Sequence, residues 1–111
     1  FGRRMVAVGQ DMKVEREIPV GWELDCEVSK VMFPDIRARI VPPYSTDIAA
    51  AWHVMEKLST EHIVNVCGPD AANPDTWGCA LMGGPDGYVA ARAETAPEAI
   101  CRAALKALTQ R

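Results

Sequence analysis

The sequence predicts an α+β fold in which helices cover a three-stranded antiparallel sheet, in the order α-α-β-β-β-α. Three observations carry that expectation. Segments 21–33 and 42–58 place apolar residues at helical spacing. Three short runs between residues 62 and 94 are rich in strand formers and are separated by turn residues, most densely in GGPDG at 83–87. The segment after them returns to helical spacing behind a capping signal, TAPE.

Residues 1–18 lack caps and periodicity and are read as an N-terminal extension, with MVAV as a candidate edge strand. A chain of 111 residues is long enough for one domain, since single domains run to about 100–150 residues, and that domain is placed at residues 19–111. In GWELDCEVSKVMF, Leu24, Val28, Val31 and Met32 make one helical stripe. Glu23, Asp25, Glu27 and Lys30 take the solvated side, and Pro34 stops the helix. PDIRARIVPPY, residues 34–44, is a proline-rich connection whose IRARIV part can be extended. In the next helix Ser45 and Thr46 offer hydroxyls to the first backbone N–H groups, and Asp47 puts negative charge at the positive end of the dipole. Ile48, Trp52, Met55 and Leu58 are its expected buried face. Ala49, Ala50 and Ala51 let another backbone approach, and His53, Glu56 and Lys57 fall outside the stripe.

The strands are read as HIVNVCG (62–68), TWGCALMG (76–83) and GYVAARAE (87–94), with an exposed loop over 68–76. In the last helix Thr95 and Glu98 have capping-box spacing, and Pro97 is tolerated in the first turn. Ile100, Ala103, Ala104, Ala107 and Leu108 supply its apolar side, with Arg102 and Lys106 on a wetter one.

PPYSTDIAAAWHVMEKL and AETAPEAICRAALKAL closely resemble the two signature segments of the phage ABA sandwich domain family. ELDCEVSKVM is similar to that family's first helix, about one residue shorter. The resemblance spans roughly residues 19–109 and implies an α/β sandwich, a phage or prophage origin and a translation start near Met12. It brings no established activity or catalytic set. Residues 45–109 are also similar in topology to the double-stranded RNA-binding domain, whose final helix begins with lysines that grip phosphates. Here Glu98 stands at that position and repels phosphate.

A net charge of −3 opposes broad attraction to nucleic acid or anionic lipid. A local patch of Arg37, Arg39, Arg92, Arg102 and Lys106 keeps nucleic-acid binding as the alternative function. No apolar run approaches the roughly 20 residues of a membrane span, and no secretion signal is present, so the expected place is the bacterial host cytoplasm with no membrane partner. Cys26, Cys67, Cys79 and Cys101 include no CxxC pair, which argues against zinc and for reduced thiols. Cys67 and Cys79 on neighbouring strands leave a disulfide open.

Enzyme signatures are missing: there is no GxGxxG before a helix, no phosphate-binding GKS/T loop and no GxSxG elbow. His62 and Cys67 lie five apart on one expected strand and so point to opposite faces. Asp70 and Asp75 are ordinary loop acids. The expectation is no enzyme, no cofactor and no metal. What remains is surface. Trp22 at a helix start, Trp77 after the NPDT loop and Tyr88 near a strand end are candidate anchors for a protein partner. Trp77 could equally cap the sheet core and Trp22 close the end of the sandwich. With the phage origin that the resemblance implies, the expectation is a small accessory protein that binds a host or phage protein, with an inhibitor of a host defence nuclease as one form. Self-association through a sheet edge or helix face is a further expectation.

Overall fold

Helices α1 (Trp22–Met32), α2 (Ile48–Leu58) and α3 (Ala96–Thr109) and strands β1 (Ile63–Cys67), β2 (Trp77–Gly84) and β3 (Gly87–Ala93) follow the expected order. They are seen in a computed structural model that describes residues 18–34, 41–71, 74–84 and 87–109. The extension over 1–17 with its MVAV segment, most of IRARIV with Arg37 and Arg39, and the tips of both strand connections lie outside the described residues.

Helix α1 starts at Gly21, whose φ of 111° suits a residue without Cβ, and carries Glu23 and Asp25 in its first turn and Lys30 in its last. Leu24, Val28 and Met32 are buried as their spacing requires. Asp25 is buried with them, at 4% exposure, which corrects its placement on the solvated side. It stands three before Val28 and seven before Met32, on the same arc, and its carboxylate has a partner there. Oδ1 accepts the Ser45 backbone N–H at 2.7 Å and the Ser45 hydroxyl at 2.7 Å. Ser45 Oγ in turn accepts the Gly21 N–H at 2.9 Å.

Ser45 therefore ties α1 to α2 instead of capping α2. The cap is Asp47, whose Oδ1 accepts the Ala49 N–H at 3.1 Å. At the far ends of the two helices the Lys57 ammonium donates to the Met32 carbonyl and lies 4.9 Å from the Phe33 ring centre. Phe33 stacks on Tyr44 at 5.6 Å. Starts joined to starts and ends to ends, the two helices run in the same general direction.

The buried face of α2 differs from the expected one. Ala50, Ala51, Val54 and Leu58 are buried, whereas Ile48 and Trp52 are exposed and Met55 is half-buried. Two apolar stripes coexist on this helix, and at about 100° per residue Ile48 and Trp52 sit more than about 100° from the centre of the stripe that is used. The small stripe wins because the surface it meets is α3, itself built of alanine, where close approach of two backbones buries more than a bulky ring held at a distance.

The strands pair antiparallel in the order β1-β2-β3. Val64 opposite Leu81, Val66 opposite Cys79, Leu81 opposite Val89, Cys79 opposite Ala91 and Trp77 opposite Ala93 face the core. Gly84 pairs with Gly87 at the hairpin, beside a bulge after Leu81, and Gly83 and Gly87 take φ of 73° and 72°.

Helix α3 explains the architecture. Ala99, Ile100, Cys101, Ala103, Ala104 and Ala107 are all fully buried. At about 100° per residue they span an arc of about 200°. One side of the arc packs on β2 and β3, the other on α1 and α2. The layers are sheet, α3, then α1 with α2, so α3 covers the sheet directly and α1 reaches the core through α3. Thr95 Oγ1 accepts the Glu98 N–H at 3.3 Å, half of the expected capping box. The Glu98 carboxylate holds Arg102 instead, at 2.7 Å.

Candidate functional site

Trp22 is the first residue of α1, set there by the Gly21 turn, and is 63% exposed. Trp52, on the α2 stripe that α3 does not use, is 54% exposed, with Ile48 a turn before it on the same stripe. Val20 adds another exposed apolar side chain beside Gly21. Glu23, Glu27 and Glu56 lie on the same two helices. Glu27 is met by Lys30 at 3.1 Å and Glu56 by His53 at 3.6 Å, both exposed pairs of the kind water screens. The outward side of the α1/α2 layer thus combines two indole rings and an isoleucine with carboxylates.

The other expected anchors are placed apart from this layer. Trp77 is half-buried on the inner face of β2 and packs against the core. A Cβ at Gly68 would stand 3.4 Å from its ring, so Trp77 caps the sheet core. Tyr88 is 71% exposed on the outer face of β3. Sequence reasoning missed Trp52 and Ile48 because their stripe has sound helical spacing. The signal for the alternative was a second stripe of sound spacing, Ala50, Ala51, Val54 and Leu58.

The cations considered for nucleic acid are divided. Arg92 lies on the outer face of the sheet and donates to Thr76 Oγ1 at 3.3 Å. Arg102 is largely buried, pairs with Glu98 and donates to the Ile18 carbonyl at 2.9 Å. Lys106 donates to the Ala90 carbonyl at 3.2 Å. Arg37 and Arg39 lie outside the described residues.

Cys67 is exposed on the outer face, while Cys79 is buried on the inner face opposite Val66. Adjacent strands but opposite faces leave both thiols free. His62 precedes β1, is buried and has Nδ1 3.2 Å from the Leu58 carbonyl. Gly84 packs against its ring; a Cβ at Gly84 would also come within 2.7 Å of the Glu61 carbonyl. Among the described residues no group of three or more His, Cys, Asp or Glu is placed to hold a metal ion, and no helix is long and apolar enough to cross a membrane.

Burial pushes the Cys79 thiol up from 9.0 to about 12, with the nearby Cys67 adding to the shift. Cys101 is pushed up by burial and then by the Asp25 carboxylate, and Tyr44 is raised mainly by burial. These shifts have a testable sign. Between about 9 and 12 the folded protein keeps the Cys79 proton that the unfolded chain releases, so stability is full below pH 9 and falls as pH rises through that window. The denaturant midpoint therefore declines from pH 9 upward, and declines less steeply in Cys79→Ala when each protein is referred to its own value at pH 7. Equal slopes in the two proteins would contradict the assignment.

Fold and surface together define a small α+β sandwich domain whose prominent surface chemistry is aromatic and acidic. The chain belongs to the phage ABA sandwich domain family, whose sequence profile matches residues 21–105. It is also similar to a phage protein from Bacillus cereus known from a crystal structure at 2.0 Å. The two are 31% identical, with a TM-score of 0.66, over 78% of this chain and 85% of that one. No curated protein matches the chain.

Proposed function

We propose that this phage protein is a non-catalytic binding module that acts in the host cytoplasm on another protein through the outer side of α1 and α2. The observation that carries the reading is the exposure of Trp22 and Trp52, two of the three tryptophans in a chain with 6% aromatic residues. Indole rings left in water forgo the burial free energy a core would return, and tryptophan is enriched where interfaces concentrate their affinity. Glu23, Glu27 and Glu56 favour a partner that presents apolar pockets rimmed by Lys and Arg. A nucleic-acid-binding face of a host defence enzyme has that chemistry, which gives the anti-defence form of the reading its physical basis. Membership of a phage family and the Bacillus cereus neighbour support the phage setting. Direct binding of nucleic acid is less well supported, because Arg102 and Lys106 already serve Glu98, Ile18 and Ala90.

The test compares wild type with Trp22→Ala/Trp52→Ala as immobilised bait in host lysate. Hot-spot truncations cost about 2 kcal/mol or more each, so retention of the specific partner falls at least about tenfold in the double variant. Its melting temperature stays close to that of wild type, because both rings are exposed. Retention of no specific protein, or equal retention by bait and variant, refutes the reading.

A further inference from the structure

The Trp22 side chain is exposed, yet the stretch that delivers it is held at both ends. At the first end the Ile18 carbonyl accepts from Arg102 Nη2 at 2.9 Å. Arg102 is itself kept in place by Glu98 at 2.7 Å, in a pair whose side chains are only 10% and 12% exposed. Pro19 follows, and its ring fixes φ at about −65°. At the second end stands Gly21, and there the hold is Ser45.

Ser45 lies 24 residues further along the chain and is fully buried. Its Oγ accepts the Gly21 N–H at 2.9 Å and donates to Asp25 Oδ1 at 2.7 Å. The Gly21 carbonyl accepts the Asp25 N–H at 2.9 Å. Both polar backbone groups of the residue before Trp22 are therefore fixed. The Ser45 N–H ends on the same Asp25 oxygen at 2.7 Å, so the serine cannot turn away without losing a second buried bond. Its own backbone is pinned by the turn around it, where the Thr46 and Asp47 N–H groups donate to the Pro43 carbonyl at 3.3 and 3.0 Å.

The backbone at Gly21 shows that direction, not space, is what this turn supplies. It stands at φ 111° and ψ −141°, a state closed to residues with a Cβ, although a Cβ there would meet nothing within 4 Å. Helix ends fray, and α1 starts without a side-chain cap, so the bonds to Ser45 do the holding. Trp52 needs no such device, because it sits in the middle of α2, whose cap Asp47 follows Ser45 by two residues. One serine thus joins the start of the helix that carries Trp52 to the residue that aims Trp22.

We propose that Ser45 is a positioning residue for Trp22, holding that tryptophan's backbone in one direction relative to Trp52 before any partner arrives. The inference rests on the binding role proposed above for the outer side of α1 and α2. A partner then has only the indole's side-chain torsions to order. It avoids the factor of about ten in affinity that fixing each loose backbone residue costs.

The test reads the free protein first, through backbone amide relaxation in solution. An order parameter of about 0.85 marks a rigid backbone, and one below about 0.6 a flexible one. In wild type the Trp22 amide is expected to be as rigid as that of Trp52. In Ser45→Ala the Trp22 amide falls below about 0.6 while Trp52 stays unchanged. Gly21→Ala strains the same turn without a clash, so it loosens Trp22 in the same way and serves if Ser45→Ala does not fold. Leu81→Val trims the core on the sheet side of α3; it lowers stability but leaves both amides rigid. As bait in host lysate, Ser45→Ala keeps both indoles and is expected to retain the partner about tenfold less well than wild type, whereas Leu81→Val retains it equally. A Trp22 amide that is already flexible in wild type, or that stays rigid in Ser45→Ala and Gly21→Ala, overturns the inference. Equal retention by Ser45→Ala and wild type does so too. A wild-type bait that retains nothing sinks the binding role alone, and the relaxation data still decide whether Ser45 holds Trp22.

Discussion

Replacing Asp25 by alanine lowers the unfolding free energy by about 3 kcal/mol, the cost of leaving the buried Ser45 N–H without an acceptor and its hydroxyl with only the more distant Gly21 carbonyl at 3.2 Å. The Ser45 N–H and hydroxyl both end on the same Asp25 oxygen at 2.7 Å, in a place closed to water. For a domain near 100 residues each kcal/mol moves the melting temperature by about 4–8 °C, so the variant melts well over 10 °C lower. Two milder changes sort the causes. Asp25→Asn keeps a carbonyl oxygen for one donor and costs about half as much, and Ser45→Ala removes only the hydroxyl bonds at about 1–2 kcal/mol. Denaturant unfolding of the three variants checks the order. A loss below about 1 kcal/mol for Asp25→Ala would mean that the start of α1 and the start of α2 are held together by something else.

The second large effect is expected at Ala104. It is fully buried on α3, the helix pressed by the sheet on one side and by α1 and α2 on the other. Leucine there adds three carbons where neither layer can retreat without losing its own contacts, and overpacking costs about 1–3 kcal/mol or more. Ala49→Leu makes the same chemical change on the exposed side of α2 and is expected to leave stability within about 0.5 kcal/mol. Thermal melts of the pair read the difference. Equal stability of the two variants would show that α3 has space on one side and is not an interior helix.

How far the sequence discloses this molecule differs from element to element. All six elements are legible, because each has its own period and punctuation: Pro34 after α1, Asp47 before α2, Gly83 and Gly87 at the hairpin, Thr95 before α3. Layer order is not, since it depends on which stripe of α2 meets α3, and helical spacing alone cannot choose between Ile48–Trp52 and Ala51–Val54–Leu58. Asp25 shows the same gap from the polar side. A carboxylate among apolar neighbours is unfavourable until a partner is known, and that partner, Ser45, is 20 residues away. Trp22 and Tyr88 are exposed as element ends suggest, whereas Trp77 belongs to the core end, a choice set by Gly68 rather than by anything beside it in the sequence.

The helix in the middle of the molecule follows, in chain order, every element it packs against. Until residues 96–109 are made, the ties between α1 and α2 and the short contact of α2 with β1 are in place, but the surface that joins the sheet to both helices is missing. Their greasy sides stay wet until Ala107 clears the exit tunnel, and the domain then assembles around its newest segment in one step. Any chain that stops short of that point carries an interior without its centre, a natural target for the host's proteases.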